Sequence, residues 1–378
     1  MKPGALILLV TIAIASPVRA QNCTPHFTKT NPCKDENDFV SRKVCNMAAF
    51  DTKDFNPLIT PDANYHSPTC DQVNTNIPNI GVIKDAYKLA PANVKSALCQ
   101  LNRVLVMTDQ TYTNSSNKSE ALGIWESHGR GDGGVYIAIS DQMLSAASSL
   151  ADEENNVLGR LLLPQSPGPY PSGHSLPTFA NAGSAAATPA AAVLAVLVHE
   201  LGHVLLSDTN ADGTGGEGHK HPRPCRNLPK DSCFESAILG KPGENRGWDK
   251  VVFHRNMRRW TDFGTQNDNI YQNPALRFSN VVSDLTSTPS SDANATSDMY
   301  SIYNSGSFTS LFATVSPEED FIETYKYAAL AAAADSAGNK LGLDIAFPAR
   351  VVHVIDAVRT PSAELGGKIG CVTTLVTP

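Results

Sequence analysis

The run Ala190–Leu206, AAAVLAVLVHELGHVLL, constrains this chain more than any other segment. Thr188 and Pro189 precede it as a helix start, a capping hydroxyl followed by proline at the first helical position. Nearly every position after them is apolar. The helix this predicts ends near Ser207–Asp208, has no polar face to offer water and must lie inside the fold. Yet it carries His199, Glu200 and His203. Ionisable groups in apolar surroundings are costly without partners. Residues four apart on a helix project from one face, so the two imidazoles aim at a common point. Glu200 follows about 100° further round. Gly202 costs about 1 kcal/mol relative to alanine in a helix interior, which argues against pure scaffolding.

A metal ion resolves the cost of burying these groups. Zinc takes nitrogen ligands at about 2.0–2.1 Å, and a catalytic site has three protein ligands and one open position. His199 and His203 supply two of the three. Glu200 is placed to act on water at the open position without binding the metal, the general-base role of metal-assisted hydrolysis. The plain alternative is a pair of satisfied core histidines. A pattern as short as HExxH arises by chance, so its weight comes from the apolar helix around it.

His199-Glu200-Leu201-Gly202-His203 resembles the active-site helix of the zincin metallopeptidases, which often reads HELGH. The resemblance implies an α+β fold. A small mixed sheet, ending in an edge strand that lines the substrate cleft, precedes the active-site helix on the cleft floor, and a C-terminal helical lobe follows. It also implies zinc-dependent hydrolysis of peptide bonds in a protein or peptide substrate, with Glu200 as general base.

The third ligand must come from elsewhere. Metzincins use HExxHxxGxxH, but Leu206 and Thr209 stand at the glycine and final histidine positions, so that class is excluded. Gluzincins take a glutamate from a later helix, with an acidic residue four positions on. The segment SPEEDFIETYKYAAL places Glu319 and Glu323 on one helical face. By resemblance to gluzincins, including the lethal-factor-like branch, Glu319 would bind zinc. Glu323 would accept a hydrogen bond from a ligand imidazole and set its tautomer. Other readings stay open. Ser316-Pro317-Glu318-Glu319 is also a capping-box pattern, and Asp208, Asp212, His219, His221 and His254 compete as ligands. Two departures from the family stand out. His203 and Glu319 are 116 positions apart, making 207–315 an inserted region. The tyrosine that the lethal-factor-like branch carries seven residues before its ligand glutamate is Phe312 here. Tyr300, Tyr303, Tyr325 and His254 are the alternative donors to an oxyanion.

The rest of the chain supplies context. Lys2, the apolar run Ala5–Ala15 and a small residue at Ala20 have the layout of a cleavable signal peptide over residues 1–20. The apolar run is shorter than the roughly 18–20 residues of a membrane span, and no later stretch is long and apolar enough. Export to a secreted or periplasmic location is the expectation. Removing Lys2 and Arg19 takes the formal charge from −7 to −9, spread without blocks, which argues against nucleic acid or an anionic membrane as the main partner. Eight cysteines, an even number, read as disulfides in an exported chain. Five fall within residues 23–99, predicting a stapled segment over 21–100. Eight cysteines allow 105 pairings; if Cys225 and Cys233 pin one local loop, an N-terminal cysteine must pair with Cys371.

Residues 101–378 are then the metallopeptidase domain. Pro91–Asn102 has helical spacing and Arg103–Thr108 reads as a strand. Ala121–Glu126 and Val135–Ser140 flank a glycine-rich turn as a hairpin, with Val135–Ser140 as the expected edge strand. Residues 164–188 read as a surface loop, Val251–Trp260 as a helix, 264–307 as patternless, and Ser316–Ala334 as a helix. Two alternatives to the peptidase reading are an exported zinc-binding protein with weak or no activity and a disulfide-stapled binding module.

Overall fold

The computed structural model describes residues 32–48, 50–51, 69–73, 75–107, 112–113, 123–126, 136–145, 148–162, 174–210, 280–281, 284–285, 292–314 and 317–376. The expected signal peptide, Cys23, Cys225, Cys233, the glycine-rich turn and the expected helix at 251–260 lie outside these residues, as does the Cys371 side chain.

The architecture is mixed helix and sheet. Four strands, β1 (Val44–Asn46), β3 (Arg103–Met107), β6 (Tyr136–Ser140) and β5 (Gly123–Glu126), lie side by side in that order. The first three are parallel, and β5 runs antiparallel to β6. A short parallel pair joins β2 (Phe50–Asp51) to β4 (Tyr112–Thr113). The expected hairpin is present, but β6 is not the edge. It sits between β3 and β5, and the edges are β5 and β1. The physical reason is visible in YIAIS, which is buried at every position. Val104, Val106, Ile137 and Ile139 face the main core, while Leu105, Met107, Tyr136 and Ala138 face a second cluster with Met47, Cys45 and Cys70. A strand covered on both faces reads as one apolar run.

The N-terminal segment is stapled by Cys33–Cys99 and Cys45–Cys70. It is also part of the main core. Its helix α1 (Glu36–Lys43) is capped by Asp35, which accepts from Asn37 N and Asp38 N. Phe39 of α1 stacks on Tyr87 of α2 (Ile80–Leu89) with ring centroids 4.3 Å apart. Helix α3 (Ala92–Gln100) leads into β3.

Helix α5 (Pro189–Asn210) is the central element, as its apolar sequence requires. It is packed by α2, by α4 (Leu150–Leu162), by strands β5 and β6, and by α7 (Pro317–Ser336). Between α5 and α7 in sequence lies α6 (Asp292–Asn304), within the stretch read as patternless. After α7 come α8 (Val354–Arg359) and α9 (Ala363–Val376). No helix among the described residues is long and apolar enough to cross a membrane.

A second sheet holds the two central helices in place. Strand β7 (Phe179–Ala182) pairs antiparallel with β8 (Gly342–Phe347), which pairs antiparallel with β9 (Arg350–His353). Strand β7 lies just before α5 and β8 just after α7, so their pairing ties the start of one helix to the end of the other. Gly183 closes this junction at φ 99°, in the left-handed region glycine favours. A Cβ there would collide with the Lys340 carbonyl oxygen. That same oxygen accepts from Ala185 N at 2.9 Å.

Candidate metal centre

Helices α5 and α7 meet at Gly202. A Cβ built on Gly202 would lie 3.1 Å from Ile322 Cγ2, 3.3 Å from Tyr325 Cδ1 and 3.4 Å from Ile322 Cα. The glycine therefore has a packing role: it lets the two helices approach closely enough for their polar side chains to meet. This contact accounts for a glycine inside the helix despite its propensity cost, so Gly202 does serve the scaffold.

That approach brings three of the expected side chains together. His199 Nε2 lies 3.8 Å from Glu319 Oε2, and His203 Nε2 lies 3.8 Å from Glu319 Oε1. One ligand atom from each of His199, His203 and Glu319 falls within 4.8 Å of the others. Ligands at about 2.0–2.1 Å around a tetrahedral ion stand about 3.4 Å apart, so the carboxylate–imidazole spacings need to close by only a few tenths of an ångström. The two imidazoles are edge-to-face, with centroids 5.0 Å apart.

Glu323, one turn beyond Glu319 on α7, sets the orientation of His199. Its Oε1 accepts from His199 Nδ1 at 2.9 Å, leaving Nε2 as the atom turned toward Glu319. Ser310 Oγ donates to its Oε2 at 2.6 Å, and Lys326 Nζ lies 2.9 Å from Oε1. Burial alone would push this carboxyl up. The charge of Lys326 and the hydrogen bond from His199 outweigh burial and hold it at about 2. His199 moves the other way from its usual value: burial depresses it to about 4, which favours the neutral imidazole a metal needs. Burial raises Glu200 to about 8.

Phe312 stands at the position where the resemblance to the lethal-factor-like branch leads one to expect an oxyanion-binding tyrosine. Its ring stacks on the His199 imidazole at 5.5 Å and an interplanar angle of 13°. The other hydroxyl candidates have different duties. Tyr303 OH accepts from Leu311 N at 3.2 Å. Tyr300 OH accepts from Arg350 Nη1 and donates to Asn304 Oδ1. Tyr325 packs at Gly202, and its buried hydroxyl has no hydrogen-bond partner among the described residues. His254 and the competing ligands Asp212, His219 and His221 lie outside the described residues, as does the side chain of Asp208.

Sequence reasoning missed Ser310, Lys326 and Glu154. Lys326 is buried between Glu323 and Glu154 of α4, whose Oε1 is 2.8 Å from Nζ. A lysine leading into the alanine-rich stretch YAALAAAA was the available signal. Glu154 sits in DEEN, which looks like any exposed helix start, and gave none. Comparisons with protein-family models, with curated proteins and with solved structures found no match.

Proposed function

We propose that the chain is an exported zinc-dependent endopeptidase with a zincin-like fold of the gluzincin type. The observation that carries this reading is the convergence of His199, His203 and Glu319, with His199 oriented through its Nδ1 by Glu323. Charge supports it as well. Glu154, Glu319 and Glu323 outnumber Lys326, the cation that touches two of them, an excess of negative charge that a bound cation would reduce. The two disulfides fit an oxidising compartment. Two imidazoles and a carboxylate around an open position are a donor set suited to zinc.

His199, His203 and Glu319 would hold the ion, which when bound would polarise the scissile carbonyl and acidify water. The chain's own groups do the rest. Glu323 keeps the proton of His199 on Nδ1. Glu200, next to His199 on α5, would take the proton of the attacking water and pass it to the leaving amine. The test is cleavage of an unfolded protein by the wild type, with and without chelator, beside Glu200→Gln. The expected result is zinc retained by both proteins, cleavage by the wild type alone, and loss of that cleavage on chelation. Equal inertness of the two zinc-loaded proteins would remove the enzyme reading.

A second reading, a zinc-binding protein with little hydrolytic activity, is favoured by one observation. Phe312 presents a ring without a hydroxyl beside His199. One oxyanion donor is worth about 10²–10³ in turnover where it has been removed. Phe312→Tyr is expected to raise turnover at least about tenfold if that donor is what the site lacks. Unchanged turnover in an active enzyme would show that another group already serves.

A further inference from the structure

Behind Glu323 the core contains a chain of charges that metal binding and water activation do not use. Lys326 is 1 % exposed, and it touches Glu323, 0 % exposed, on one side and Glu154, 3 % exposed, on the other. Glu154 belongs to α4, outside the two helices that carry His199, His203 and Glu319. Glu153 beside it is also buried, and burial together with the Glu154 charge pushes its carboxyl well up.

Stability is a poor reason for such an arrangement. Replacing a buried ion pair with well-packed apolar groups is often neutral or stabilising. On its C-terminal side α7 is lined by buried residues that would pack against such a replacement: Tyr327, Ala329, Leu330, Ala333 and Ala334. What Lys326 does that an apolar residue cannot is hold Glu323. The carboxylate is gripped at three points, by Lys326 and His199 on Oε1 and by Ser310 on Oε2. Without Lys326 it keeps two, both neutral donors, and can rotate away from His199.

We propose that Lys326, anchored by Glu154, is a positioning residue for the metal site: it locks Glu323 in the orientation that turns His199 Nε2 toward the ion. This inference rests on the metal reading above. It extends that site from α5 and α7 to α4 and assigns a role to two residues that touch neither metal nor substrate. Partners of metal-bound histidines, when removed, typically cost 10–100-fold in metal affinity, and an effect of that size is expected here one contact further out.

The experiment compares the wild type, Lys326→Met, and the double variant Lys326→Met with Glu154→Gln. Zinc affinity is measured by competition with a chelator, the visible d–d band of the cobalt(II)-loaded proteins reports ligand geometry, and thermal unfolding is followed alongside. The single variant strands the Glu154 charge in the core, so it is expected to melt early. The double variant removes that charge and is expected to recover most of the melting temperature, yet both variants should bind zinc 10–100-fold more weakly than the wild type, with an altered cobalt band. If the single variant does not fold, the double variant decides. A double variant that binds zinc within twofold of the wild type, with the wild-type cobalt band, would overturn the inference and leave Lys326 as a counter-charge for Glu154. A wild type that takes up no zinc would instead remove the metal reading, and this inference with it.

Discussion

Burial moves the proton affinities of His199 and Glu200 in opposite directions, and the consequence is measurable without a substrate. In the chelator-treated protein Glu200 rises from 4.5 to about 8. Between those values the native state keeps a proton that the unfolded chain has lost, so stability falls as pH rises. His199 falls from 6.5 to about 4. Over that interval the unfolded chain binds a proton that the native state refuses, so stability rises with pH. The two slopes oppose each other up to pH 6.5, and above it the Glu200 slope stands alone of the pair. The metal-free melting temperature is expected to fall between pH 6.5 and 8. Glu200→Gln should flatten that fall, as calorimetry across the range can check. Parallel curves for the two proteins would mean that Glu200 is ionised in the apo core.

The crossing of α5 and α7 depends on one missing methyl group. Gly202→Ala would gain about 1 kcal/mol in helix propensity, while its Cβ would meet Ile322 and Tyr325 at 3.1–3.3 Å. Helix α7 must then give by tenths of an ångström, and Glu319 and Glu323 move with it. The expected outcome is a protein of near wild-type melting temperature with zinc affinity reduced at least about tenfold. Unchanged affinity in a chelator titration would show that α7 accommodates the methyl without moving its carboxylates. At this scale the legibility of the sequence divides cleanly. The His199/His203 pair and the Glu319/Glu323 pair are each local to one helix, and four-residue spacing exposes them. Ser310 and Glu154 come from separate segments and leave no periodicity to read, while Lys326, three residues after Glu323 on the same helix, was legible only as a lysine among apolar neighbours. Strand β7 is four residues long, FANA, without alternation, and passed as loop. Helix α6 was missed for a weaker reason. Ala295, Met299, Ile302 and Tyr303 recur at helical spacing, but inside a long polar stretch. The central position of β6 was available in its unbroken apolar run.

At the scale of the whole molecule the sheet separates two concerns. The cluster that contains Cys45–Cys70 lies on the face opposite the core that holds α5. That bond closes a separation of 25 residues, for which the chain-entropy relation gives about 3.5 kcal/mol. Replacing both cysteines with serine is therefore expected to cost a few kcal/mol in denaturant unfolding and to leave zinc affinity within about twofold of the wild type. A large loss of zinc affinity would show that the sheet transmits strain from one face to the other.

The pairing of β7 with β8 also fixes when the site can exist. The strand that leads into α5 ends at Ala182, and the strand that must meet it begins at Gly342. At about 5–20 residues per second, a ribosome places roughly 8–30 s between those two points. During that interval His199 and His203 have been made while Glu319, Glu323 and the strand that positions α7 have not all followed. A chain in synthesis thus carries two histidines of an incomplete site. On the peptidase reading proposed above, hydrolytic competence would have to wait until α7 and β8 have followed α5 off the ribosome.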